Sequence, residues 1–105
     1  MVDVGLSPFV LGMLEKVFVR FPEIEKVVIF GSRATGRYRP GSDIDLAVFA
    51  PDLTDRAFAR LVDELDELPI AFNMDIIHFD TLKNQTLRQQ ILNRGKTLYP
   101  TTVNT

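Results

Sequence analysis

The sequence contains no cysteine, which removes disulfides, thiolate zinc sites and cysteine nucleophiles together. No apolar run approaches 18 residues, and Met1-Val2-Asp3-Val4-Gly5 shows neither the basic stretch nor the long apolar stretch of a leader. The expectation is a soluble cytoplasmic chain with no membrane segment. Excess positive charge is also missing. A formal net charge of -2 lacks the basic face that a general nucleic-acid binder uses, although a nucleotide carried in with a metal ion remains open. Histidine is nearly absent: His78 is the only one, and it is read as a packing or hydrogen-bonding residue at a strand end.

What is present suits one compact domain. A chain of 105 residues with 46% hydrophobic content buries roughly 60 to 70% of the surface its unfolded form exposes. The reading is a single domain over residues 1–105, with its core at about 8–99, a frayed tail at 100–105, and neither repeats nor an interdomain linker. Charge is unevenly placed. Arg33, Arg37 and Arg39 stand together, whereas Asp52 to Glu67 holds six acidic residues against two arginines. The acidic run is read as the solvated face of a helix.

Ser7-Pro8 opens a helix, Ser7 as its cap, and apolar residues at Val10, Leu14, Val17, Phe18 and Phe21 continue its stripe until Pro22. Val27 to Phe30 is a strand whose unbroken apolar character predicts burial on both faces. Arg33 to Gly36 has room for one helical turn before the breaker-rich loop Arg37-Tyr38-Arg39-Pro40-Gly41-Ser42. Ile44 to Phe49 is a second strand, stopped by Pro51. Thr54 caps a helix to about Leu68, with Phe58, Leu61, Val62, Leu65 and Leu68 on one face. Asn73 to Phe79 reads as a third strand, and Asn84 to Arg94 as a last helix closed by Gly95. Lys96 to Tyr99 adds a short edge segment.

The stretch from Phe30 to Val48, F-G-S-R-A-T-G-R-Y-R-P-G-S-D-I-D-L-A-V, carries the chemistry. Gly31 falls where a strand ends, and a residue without a Cβ lets a ligand approach the backbone. With Ser32 as cap of a helix beginning at Arg33, the free N–H groups of that first turn suit phosphate. Asp43 and Asp45 flank one residue at the start of the next strand. In extended chain they share a face with Cα atoms roughly 6 to 7 Å apart, so both carboxylates can converge on one divalent ion or a close pair. Asp75 is a third carboxylate, isolated inside an apolar strand, where a charge is costly unless compensated. A metal shared with Asp43 and Asp45 would compensate it.

Gly-Ser alone is a common turn and Asp-x-Asp a common loop. Four specified residues at fixed spacing, at about 6% per residue type, occur by chance in on the order of one chain per thousand of this length. Arg37 and Arg39 either bind phosphate or solvate their loop. Tyr38 is read as packing that loop rather than stacking on a base, and Asp80 as a cap of the final helix rather than a catalytic group.

Gly31-Ser32 with Asp43-x-Asp45 resembles the signature of the DNA polymerase beta-like nucleotidyltransferases. The order of helix, strand, Gly-Ser turn, Asp-x-Asp strand, helix and third acidic strand is similar to that of the minimal members, the MNT domains, over most of residues 8 to 99. The resemblance implies an α+β fold, in two α/β layers, with a small mixed β-sheet packed by helices and the site at its open edge. It implies transfer of a nucleoside monophosphate, AMP from ATP, to a hydroxyl. The acceptor it suggests is a tyrosine of a HEPN-domain partner that the MNT domain restrains as its antitoxin. Asp43, Asp45 and Asp75 would then hold two magnesium ions, with Asp75 also the candidate general base. Gly31, Ser32, Arg33, Arg37 and Ser42 would contact the nucleotide. Two other readings stand beside this one: a module that neutralises its partner by contact alone, and an enzyme acting on a small hydroxyl compound. Homodimer and hetero-oligomer are both left open.

Overall fold

The computed structural model describes residues 4–100; the expected fraying beyond Pro100 falls outside them. The elements follow in the order α1 (Pro8–Phe18), β1 (Lys26–Phe30), α2 (Ser32–Thr35), β2 (Ile44–Phe49), α3 (Asp55–Asp66), β3 (Met74–His78), a 3-10 turn (Phe79–Thr81), α4 (Gln85–Arg94) and β4 (Lys96–Tyr99). The caps at Ser7 and Thr54 act as the sequence predicts. Ser7 accepts from the Val10 N–H and Thr54 from Ala57, each satisfying a donor that the first helical turn leaves open. Helix α1 stops at Phe18, short of Pro22, because Val19 already closes it. Phe21 still reaches the core, at 3% exposure, from the turn that follows.

The sheet is mixed, in the order β3-β2-β1-β4. β1 pairs antiparallel with β2 and with β4, and β2 pairs parallel with β3. Alternation along the central strands sends Val27, Ile29, Ile44, Leu46 and Val48 to one face, where Leu14, Val17 and Phe18 of α1 and Leu61 and Leu65 of α3 cover them. Val28, Phe30 and Ala47 point to the other face, where Ile91 of α4 and Phe79 pack. The unbroken apolar run of β1 is thus buried on both sides, as expected for a central strand with helices on each face. Gly95 stops α4 and also lets it close on the sheet, since a Cβ there would collide with Val28 and with the Ile91 carbonyl.

The expected third strand loses its last residue to the 3-10 turn, and Asp80 lies in that turn. Asp80 does not cap the final helix. Its Oδ2 accepts the Ala50 N–H at 2.7 Å, and Asn84 supplies the cap instead. Among the described residues, no helix is long and apolar enough to cross a membrane.

Candidate active site

Register brings the acids together. Asp45 is the direct partner of Asp75 across the parallel β2–β3 pair and of Phe30 across the antiparallel β1–β2 pair, with neighbouring strands about 4.8 Å apart. Asp43 lies one residue before β2, and Gly31 one residue after β1. The start of β2, the start of β3 and the end of β1 therefore meet at one end of the sheet. Asp43 and Asp75 are exposed, and Asp45 is half-buried between them.

Gly31 is required twice over. Its φ of 74° lies in the left-handed region, and the Asp45 carboxylate occupies the place a Cβ would take, so a substitution is strained by its backbone and by collision. Gly31 itself is the cap of α2, without a side-chain bond, and Ser32 is the first helical residue. The expectation that Ser32 caps this turn is corrected accordingly. Its half-buried side chain stands next to Gly31.

The arginines separate. Arg37 is exposed on the loop, as is Arg39. Arg33 is not. It is 1% exposed, donating through Nη1 to the Val4 carbonyl at 2.9 Å and through Nη2 to the Ser42 carbonyl at 2.8 Å. The Tyr38 and Phe72 rings stand 5.2 and 5.0 Å from its guanidinium carbon. A guanidinium this buried, with Nε, Nη1 and Nη2 all donating to backbone carbonyls, cannot turn toward phosphate, so its expected contact with the nucleotide gives way to a place in the core. Ser42 is likewise engaged, its Oγ accepting the Arg39 N–H at 2.8 Å. Tyr38 packs the loop, as read from the sequence. His78 bonds the Ala50 carbonyl through Nε2 at 2.8 Å and stacks on Phe58 at 5.0 Å, the packing and hydrogen-bonding role expected of it.

The electrostatics are those of clustered carboxylates. Burial, and after it the carboxylates of Asp75 and Asp43, push the Asp45 carboxyl above its ordinary value. Among the described residues, no bond or ion pair offsets the three charges. Carboxylate oxygens suit a hard divalent ion such as magnesium. Among the described residues, however, no three acidic or histidine side chains converge on a common point as they stand.

Phe72 has no place in a reading of the motif, yet it stacks on Arg33 immediately before the third strand. The signal available was its position, an aromatic residue two places ahead of Met74, and this alone does not reveal a cation beneath it.

Comparison with known proteins agrees with this geometry. The family described as "Polymerase beta, Nucleotidyltransferase" matches residues 13–102. No match is found among curated proteins. Among solved structures, a toxin–antitoxin complex with AMP-PNP is 28% identical with a TM-score of 0.70, over 87% of this chain and 73% of that one. The MntA–HepT toxin–antitoxin complex is 25% identical with a TM-score of 0.66, over 90% and 74%. A tri-AMPylated HEPN toxin in complex with MNT antitoxin, from Shewanella oneidensis, is 25% identical with a TM-score of 0.58, over 87% and 73%. With its Gly-Ser turn and paired acids set at one end of a mixed sheet, this chain belongs to the polymerase beta nucleotidyltransferase family.

Proposed function

We propose that the domain transfers AMP from ATP to a hydroxyl, and that the acceptor is a tyrosine of a HEPN-type partner protein which the modification restrains. The observation that carries this reading is the register of Asp45 on Asp75, with Asp43 and Gly31 beside them. Burial and the neighbouring carboxylates of Asp75 and Asp43 push the Asp45 carboxyl up, so a cation is what would let it lie there ionised, and ATP travels with one. The choice of adenine nucleotide and of partner is supported by the similar complexes, one with AMP-PNP and one of an AMPylated HEPN toxin with MNT antitoxin.

Asp43, Asp45 and Asp75 would hold magnesium, as two ions on this reading. Bound there, the metal supplies charge stabilisation at the phosphates and lowers the pKa of the attacking hydroxyl. The chain's own residues do the rest. Gly31 leaves the backbone open beside Asp45, and Ser32 offers a hydroxyl next to it, so the terminal phosphates fit against this turn. Arg37, exposed on the adjoining loop, adds positive charge that Arg33 cannot. Asp75, exposed at the start of an edge strand, can take the proton of the acceptor hydroxyl as it attacks the α-phosphorus and pyrophosphate leaves.

The test is to incubate the protein with magnesium and each labelled nucleoside triphosphate in lysate of its own cells, then identify labelled proteins by mass spectrometry. Label from ATP on a tyrosine, absent with Asp43→Asn, is the expected result. An Asp43→Asn protein that labels as well as wild type would overturn the mechanism. Full suppression of the partner by that variant, without label, would assign the function to contact alone.

A further inference from the structure

Arg33 holds segments that border the site without facing it. Its backbone belongs to α2, directly after Gly31-Ser32. Nε and Nη2 both donate to the Ser42 carbonyl, at 3.2 and 2.8 Å, and so hold the peptide that leads into Asp43. Its guanidinium lies under Phe72, whose neighbour Asn73 accepts the Ile44 N–H at 2.9 Å, joining the starts of β2 and β3. Nη1 reaches back to the carbonyls of Val4 and Gly5, at 2.9 and 3.3 Å. Gly5, at φ 73°, is pressed so close to Tyr38 that a Cβ would collide with the ring.

A cation 1% exposed, without a carboxylate partner among the described residues, is a costly thing to bury. Carbonyl dipoles and two ring faces compensate it here, drawn from three segments: Val4 and Gly5 before α1, Tyr38 and Ser42 in the loop before β2, and Phe72 before β3. A lysine would keep the charge and lose the planar fork that serves Ser42 and Val4 together.

We propose that Arg33 is the positioning residue of the carboxylate site, presetting Asp43 and the start of β3 against the Gly31 turn and tying them to the segment before α1. This rests on the reading of the carboxylates as a metal site, but the hold on Asp43 exists before any metal binds. Strands secure Asp45 and Asp75; Asp43 lies outside them and depends on the loop that Arg33 grips.

The test compares the full-length protein with three variants: Arg33→Lys, Phe72→Leu, and Leu65→Val as a core control in α3. Amide hydrogen exchange is read without metal at Arg39, Ser42 and Ile44, against Leu46 and Val48 within β2, and manganese affinity is then titrated. For Arg33→Lys, the first three amides should exchange faster relative to the strand amides, and manganese should bind about tenfold more weakly, the scale expected for a group that orients a ligand. Phe72→Leu should shift both readings the same way by less. Leu65→Val should move all amides alike and leave manganese affinity unchanged. A uniform exchange change in Arg33→Lys, or wild-type manganese affinity, overturns the proposal. If Arg33→Lys does not fold, Phe72→Leu decides by the same two readings. If the wild-type protein binds no manganese, the metal reading falls, and the exchange pattern alone upholds or overturns the role of Arg33.

Discussion

The two ends of the parallel pair β2 and β3 carry similar residues and treat them in opposite ways. Beyond the far end, Asp80 accepts the Ala50 N–H at 2.7 Å while His78 bonds the Ala50 carbonyl at 2.8 Å, so the backbone of one residue is held on both sides by titratable side chains. At the near end, Asp43, Asp45 and Asp75 crowd together, and the half-buried member is pushed toward its protonated form. An aspartate whose lone pairs are satisfied from within is part of the scaffold. One left among like charges is set for something that arrives from outside.

Breaking the near end should have the largest effect. Asp45→Asn is expected to lower magnesium-dependent transfer by about a hundredfold or more, since it removes an oxygen ligand from a charge-stabilising centre, with circular dichroism unchanged. The contrast sharpens if ligand stabilises only the intact near end. Magnesium with ATP at a hundred times Kd should add about 2.7 kcal/mol by linkage, seen as a higher melting temperature that is absent in Asp43→Asn. At the far end, His78→Phe keeps the stack on Phe58 and removes one of the two hydrogen bonds that the Ala50 carbonyl accepts, the other coming from the Leu53 N–H at 3.1 Å, costing about 0.5 to 1.5 kcal/mol. Urea unfolding should show the loss while transfer per folded molecule stays as in wild type.

The smallest effect is a pH slope. Because the Asp45 carboxyl is raised above 3.8 in the folded protein, the native state binds more protons than the unfolded chain between that value and the raised one. Metal-free stability should therefore fall as pH climbs through this window. Asp45→Asn should flatten the slope, and a metal-free melting series across the acidic range reads it directly.

Much of this was legible in the residues. Caps at Ser7 and Thr54, the doubly buried β1 and the pairing of acids with a Gly-Ser turn all follow from local chemistry, where a side chain acts on its own turn or strand. The misreadings share a cause. Arg33 beside a phosphate-like turn and Asp80 ahead of a helix were assigned by their neighbours in sequence, but their partners, Val4, Ser42, Phe72 and Ala50, come from other segments. Register is the same kind of fact. That Asp75 falls opposite Asp45, and not one residue away on the other face, is settled by how two strands align across a helix, which no local pattern records.

That alignment bears on when the site exists. β1 and β2 are joined by residues 31–43, which include the single turn of α2, and pair antiparallel, whereas β2 and β3 pair parallel with the longer segment that carries the whole of α3 between them. A chain growing from its N-terminus carries the Gly-Ser turn and the first two acids well before Asp75, and the third acid joins them only after the crossover has closed its loop against an entropic cost. During synthesis the three carboxylates are thus not assembled until the slower, non-local pairing is made, so a ligand that needs all three would report on completed folding.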